Sequence, residues 1–109
     1  MSPEDHLPLA PRDLLILAVL AEAPLHGYGI IKAVEARSQA GVLLDPANLY
    51  RVLHRMRRLG WIREAAEADL RRKTYTVTPF GASLLAAELA RLQRLFEHAR
   101  PAVAGGDSR

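Results

Sequence analysis

Residues 45–60 read DPANLYRVLHRMRRLG, and the fold turns on what this stretch becomes. Asp45 followed by Pro46 opens a helix, because the carboxylate can accept from free backbone N–H groups and proline is tolerated at the first helical position. Gly60 supplies the stop. At about 100° per residue, Leu49, Val52, Leu53, Met56 and Leu59 fall on one arc, while Ala47, Asn48, Arg51, His54, Arg55 and Arg58 fall on the opposite one. From Arg51 to Arg58 there are four arginines, a histidine and no acid. A buried face backed by a cationic one, with Asn48 in the first turn, is what a helix laid in a DNA groove requires: cations hold phosphates, and an amide can read a base edge. The same pattern also serves as a plain solvated surface. The flanking segments must decide between them.

Composition narrows the classes. A chain of 109 residues, half of them apolar, can bury one modest core and is too short for two independent domains. Fifteen Lys and Arg against twelve Asp and Glu give a net charge of +3, so an anionic partner must be argued from where the charge sits. With no cysteine, disulfides, thiolate zinc sites and a cysteine nucleophile are excluded, which suits a reducing cytoplasm. The longest apolar run, Leu14 to Ala21, is eight residues, far short of a membrane span or a signal sequence. The expectation is a cytoplasmic protein with no membrane partner. His6, His26, His54 and His98 are scattered without metal-ligand spacing, and neither a glycine-rich phosphate loop nor a Ser, His and acid set is present. The sequence therefore predicts no enzyme, no metal and no cofactor. His26, beside Gly27, reads as a turn residue that satisfies backbone groups.

Upstream of the basic stretch, residues 1–11 hold three prolines and read as an irregular arm leading into a helix at Pro11 or Arg12. Leu14 to Ala23 is apolar almost all round, so this helix should be buried on most sides, in the domain centre or partly against another subunit. Pro24 ends it. PLHGYG forms a turn, and a second helix runs to about Ser38, with Ile30, Ile31 and Val34 inward and Lys32, Glu35 and Arg37 outward. Three helices joined by short turns, the last one basic, follow the order of a helix-turn-helix domain.

Downstream the periodicity changes. Trp61, Ile62 and Arg63 begin a strand, residues 65–70 are a polar turn region, and residues 71–78 alternate Lys73, Tyr75 and Val77 against Thr74 and Thr76. This is a β-hairpin whose second strand opens on Arg71, Arg72 and Lys73, three cations placed to meet DNA backbone. An edge strand guarded by charge would look the same. Thr78-Pro79 opens a last helix that Arg100-Pro101 should close. Within it Leu85, Leu89, Leu92, Phe96 and Ala99 are spaced 4, 3, 4, 3, with Leu84 and Leu95 widening the stripe. Such a heptad seam asks for a partner helix, unless it folds back on its own domain. The organisation predicted is an arm (1–11), a DNA-binding domain (12–78), a dimerisation helix (79–100) and a flexible tail (101–109), mainly α with a β-hairpin.

In this order LLILAVLAEAPLHGYGI, DPANLYRVLHRMRRLGWI and RRKTYTVTPFG resemble the winged helix-turn-helix of PadR-type transcriptional regulators, over residues 12 to 98. His26, Gly27 and Tyr28 match that family's His-Gly-Tyr turn. Leu49, Tyr50 and Gly60 match its recognition helix, and Lys73, Tyr75, Thr78, Pro79 and Gly81 match its second wing strand and the Thr-Pro-x-Gly that follows. Ala47-Asn48 stands where the family often has a small residue plus Thr or Ser, and Gly29 where an acid is common. With one helix after the wing, the chain is similar to the short-tailed members. The resemblance implies a dimeric repressor of double-stranded DNA and room for a small-molecule effector near the dimer interface; the sequence names no such effector, and direct repression without ligand stays open.

On this reading Asn48 and Arg51, with His54 behind them, contact bases from the first turns of a major-groove helix, since Asn can pair with adenine and Arg with guanine. Tyr50, Arg55, Arg58, Arg71, Arg72 and Lys73 contact the backbone. Leu85, Leu89, Leu92, Phe96 and Ala99 form the interface of a homodimer. The rival is a winged helix used only for protein contacts, its basic face meeting an acidic partner.

Overall fold

The computed structural model describes residues 2–65 and 73–107, the last three by backbone alone. A short 3-10 turn, Pro3–His6, precedes α1 (Pro11–Glu22), β1 (Leu25–His26), α2 (Gly27–Arg37), α3 (Pro46–Arg58), β2 (Ile62–Ala65), β3 (Thr74–Val77) and α4 (Pro79–Asp107). Three helices followed by a hairpin make a winged helix-turn-helix.

The core assembles as the apolar spacing demands. α1 buries Ile16, Leu17, Val19 and Leu20, α2 buries Ile30 and Val34, and α3 buries Leu49, Val52, Leu53 and Met56. Trp61, Ile62, Tyr75 and Leu84 close the cluster. In α3 the Asp45 carboxylate accepts from the Asn48 N–H at 2.9 Å, Pro46 takes the first turn, and Gly60, at φ +80°, turns the chain away in the left-handed region that glycine tolerates. Leu59, expected on the buried arc, is partly exposed because it is the C-cap residue and lies past the last full turn against the core.

The sheet departs from a plain hairpin. It has three antiparallel strands in the order β1-β3-β2, with Leu25 opposite Tyr75, and Ile62 opposite Val77. A strand of two residues carries no alternation to read, so β1 was hidden in the PLHGYG turn. β3 is therefore central, and Thr74 and Tyr75 are both buried although they point to opposite faces.

A compact joint sets α4 against the wing. The Thr78 hydroxyl donates to the Gly60 carbonyl at 2.6 Å and accepts from the Gly81 N–H at 3.0 Å, capping α4 as Thr78-Pro79 predicts. Gly81 is needed at this spot: a Cβ there would run into the Trp61 backbone carbonyl and the Val77 side chain.

Two expectations are corrected at the ends. α4 does not stop at Arg100; it continues through Pro101 to Asp107, so residues 101–107 are helix rather than frayed tail. Proline at 101 removes one backbone donor and crowds the preceding turn, a local penalty that need not end a helix already several turns long. The arm is not a separate irregular segment either. The Leu9 N–H donates to the buried Glu88 carboxylate at 2.8 Å, Leu9 joins the core, and the His6 ring sits edge-on to both Trp61 and Phe80 while its Nδ1 accepts from Trp61 Nε1–H at 3.2 Å. Proline content marks a segment as non-helical but says nothing of whether it docks.

Candidate nucleic-acid interface

The exposed ridge of α3 runs through Arg51, His54 and Arg58, spaced three and four residues apart, all exposed. Asn48 and Arg55 lie on one flank of that ridge, Tyr50 and Arg57 on the other. Each flank borders a cleft. The first, about 210 Å³, is lined by Arg12, Asn48, Arg51, Val52 and Arg55, between the start of α1 and α3. The second, about 300 Å³, is lined by His54, Arg57, Arg58, Ile62, Arg63 and Glu64, between α3 and the wing. Both clefts are predominantly cationic, which suits anions and in particular phosphate oxygens.

The polar side chains of this face are wired together. Asn48 Nδ2 donates to Asp45 Oδ2 at 2.7 Å, and Arg51 Nη2 donates to Asn48 Oδ1 at 2.8 Å, so a chain of hydrogen bonds runs from the helix cap to the middle of the ridge. The Asp45 carboxyl is held below its usual range, first by the Asn48 backbone N–H, with the Asn48 amide and the Arg51 charge adding to it. Tyr50 is placed differently. Its hydroxyl lies where a side chain on Gly27 would be, so the absence of a Cβ there lets the ring cross the start of α2 while staying exposed.

Arg55 is anchored from below. Its Nη2 donates to Asp13 Oδ2 at 2.6 Å, its guanidinium lies 5.6 Å from the Trp61 ring centre, and Arg12 Nε donates to the other Asp13 oxygen at 3.2 Å. On the wing side Glu64 sits 3.3 Å from Arg57 and 3.7 Å from Lys73, tying β2 to α3 and to the start of β3.

A family model described as "Transcriptional regulator PadR-like family" matches residues 16–87, more than half of the chain. The chain belongs to the PadR-like family of transcriptional regulators. Among solved structures, a PadR family transcription regulator from Clostridium difficile is similar at 22% identity and TM-score 0.71, covering 86% of this chain and 99% of that one. A transcriptional regulator from Clostridium thermocellum is similar at 21% identity and TM-score 0.70, with 90% of both chains covered. In sequence the chain is 40% identical over 92 residues to an uncharacterized 37.1 kDa protein in transposon TN4556 of Streptomyces fradiae. That match takes in 81% of this chain and 26% of the relative, so the chain spans about a quarter of the length of the curated protein it matches.

In this PadR-like chain Asn48, Arg51, His54, Tyr50, Arg55 and Arg58 all lie on or beside the same exposed ridge. Lys73 is exposed on the wing. Arg71 and Arg72 lie outside the described residues. The seam residues divide: Leu85 packs on the core of its own domain, Leu92 is half-buried, and Leu89, Phe96 and Ala99 are exposed. Arg12, Arg57 and Arg63 were missed, because Arg12 and Arg63 come from other elements and join α3 only through tertiary packing, and Arg57 lies between the two arcs that the helical period separates. No helix among the described residues is long and apolar enough to cross a membrane.

Proposed function

We propose that this chain is a sequence-specific DNA-binding regulator that acts as a homodimer and represses transcription from an inverted-repeat operator. The observation that carries the reading is the α3 ridge: a stable helix, capped and packed on one side, presents Asn48, Arg51 and His54 outward between two cationic clefts. Asn48 and Arg51 are the base readers, pre-arranged by their mutual hydrogen bond, with His54 next along the groove. Tyr50, Arg55 and Arg58, and the wing cations Arg71, Arg72 and Lys73, set register on the phosphates.

Dimerisation is supported by α4. From Gln93 to Ala104 every residue is exposed, among them Leu95, Phe96 and Val103. The seam now reads Leu89, Leu92, Phe96, Ala99 and Val103, the 3, 4, 3, 4 spacing carried past Pro101. A helix projecting alone into water gains nothing from that apolar stripe, whereas two antiparallel or parallel copies bury it.

Selection from a pool of random duplexes, followed by footprinting against random competitor, tests the reading. The expected product is an inverted repeat whose half-sites lie about one helical turn, or a multiple, apart. Binding that falls steeply with salt but enriches no sequence would leave only electrostatics and overturn it.

A further inference from the structure

The Asp13 carboxylate is buried in the first turn of α1, its side chain 6% exposed, and each of its oxygens is paired with a different guanidinium. Arg12 takes one oxygen and Arg55 the other, at 3.2 and 2.6 Å. Both arginines remain more than a third exposed, at 40% and 37%, so each keeps donors directed to solvent. They line the same 210 Å³ cleft as Asn48 and Arg51.

A buried acid between two half-exposed arginines is an uneconomical way to hold a fold together, since one arginine would already compensate the charge. It is an effective way to fix guanidiniums. Arginine loses much rotamer freedom when it binds, and a fork already pinned by a carboxylate meets its next acceptor with that loss largely behind it. The set carries a net charge of +1, and Arg51 adds another cation on the same rim.

We infer that Arg12, Asp13 and Arg55 form a clamp for one backbone phosphate of duplex DNA on the flank of α3 that faces the start of α1, with Arg12 and Arg55 as donors and Asp13 as the positioning residue. The inference rests on the DNA-binding reading above and adds a contact from α1 to it. A phosphate seated there lies across α3 from the wing-side cleft and beside Asn48 and Arg51, so it fixes how far α3 enters the groove before any base is read.

The test uses the full chain, the duplex enriched by selection and a random duplex of equal length, with affinity followed against salt. Arg12→Ala, at a half-exposed position, should leave the melting curve near wild type, weaken both duplexes several-fold and lower the salt slope by about one unit. Arg12→Lys should restore the slope and only part of the affinity, because an ammonium is a point charge and not a fork. Asp13→Asn removes a negative charge next to the DNA, so charge alone predicts tighter binding everywhere; positioning predicts that discrimination between the two duplexes falls several-fold. Arg12→Ala with an unchanged slope, or Asp13→Asn with full discrimination and a folded far-UV spectrum, would overturn the clamp while leaving the DNA-binding reading intact. A wild-type chain that enriches no duplex would remove both.

Discussion

α3 and the distal half of α4 are both helices that present side chains to solvent, and they differ in what they present. On α3 the open face is polar and bonded along its flanks: Asp45, Asn48 and Arg51 bond in series, and Arg55 and Arg57 are paired with acids on other elements. Such a face is at ease in water and suits an anion. On α4 an apolar stripe continues beyond Leu92, and among the described residues no other element lies across it. On the proposed function DNA visits the first face and a second copy covers the second.

The comparison breaks most visibly at the second face. Phe96→Asp places a charge in the seam at a residue 61% exposed in the single chain, so the domain itself loses little. Association should weaken by about 3–5 kcal/mol, the scale of an uncompensated charge in an apolar interface. Sedimentation should show a smaller species, with near-normal helix content by circular dichroism. DNA affinity should drop as well, since two linked half-sites bind far more tightly than one. A wild type that is already monomeric at micromolar concentration would leave α4's distal stripe without a purpose.

On the first face the largest effect should come from the middle of the ridge. Arg51→Ala should cost about 1–3 kcal/mol on the selected duplex and much less on random DNA, because a base contact is lost only where the base is right. Competition binding with both duplexes measures the split. Equal losses would move Arg51 to the phosphate class and shift base reading onto Asn48 and His54.

The contrast between the faces also explains what could be read beforehand. The buried arc of α3, its Asp45 cap and its Gly60 stop were legible because each is a local matter of period and backbone angle. Thr78 and Pro79 were legible as a helix start, whereas Gly81 was legible only through the family resemblance and not as the residue that clears the Trp61 carbonyl. The heptad spacing of α4 was legible, but Leu85 follows the same spacing and packs inward, since a stripe does not state where its own domain ends. Asp13 and Glu88 were invisible: lone acids on helices read as solvent-facing, and only tertiary packing shows both buried, Asp13 against Arg55 of another helix and Glu88 beside Arg91 of its own. The alternation in β3 misled for a similar reason, because a two-residue strand covers its far edge.

Glu88 gives a smaller, pH-dependent effect where the arm meets α4. Its carboxyl is held below the ordinary value of 4.5, foremost by the Arg91 side chain and further by the Leu9 N–H, with burial opposing. A depressed folded value means this stabilisation is fully present above the ordinary value and is lost as pH falls through the depressed one. Thermal melts from neutral pH downward should therefore hold level until about pH 4.5 and then decline. Glu88→Gln should start lower and decline less over that window. Parallel curves for the two proteins would mean that the arm's attachment does not depend on this charge.

The smallest effect concerns the turn that aims α3. Gln39 and Ala40 both have positive φ, 52° and 64°, in the left-handed region where a Cβ crowds the following carbonyl by roughly 1–2 kcal/mol. Ala40 N–H donates to the Glu35 carbonyl at 2.8 Å, and the Ser38 hydroxyl accepts from Val42 N–H at 3.0 Å, so neighbouring bonds hold the pair in place. Ala40→Gly removes the crowding but gives the unfolded chain more freedom, leaving a net gain of about 0.5–1 kcal/mol and a melting point higher by a few degrees. Ala40→Val, branched at the same φ, should move it the other way. DNA affinity and discrimination should not change with Ala40→Gly if the α3 face is pre-arranged by its own ion pairs and hydrogen bonds. A variant that melts higher yet discriminates less would show instead that strain in this turn sets the angle of α3, and the self-sufficiency of that face would then have to be given up.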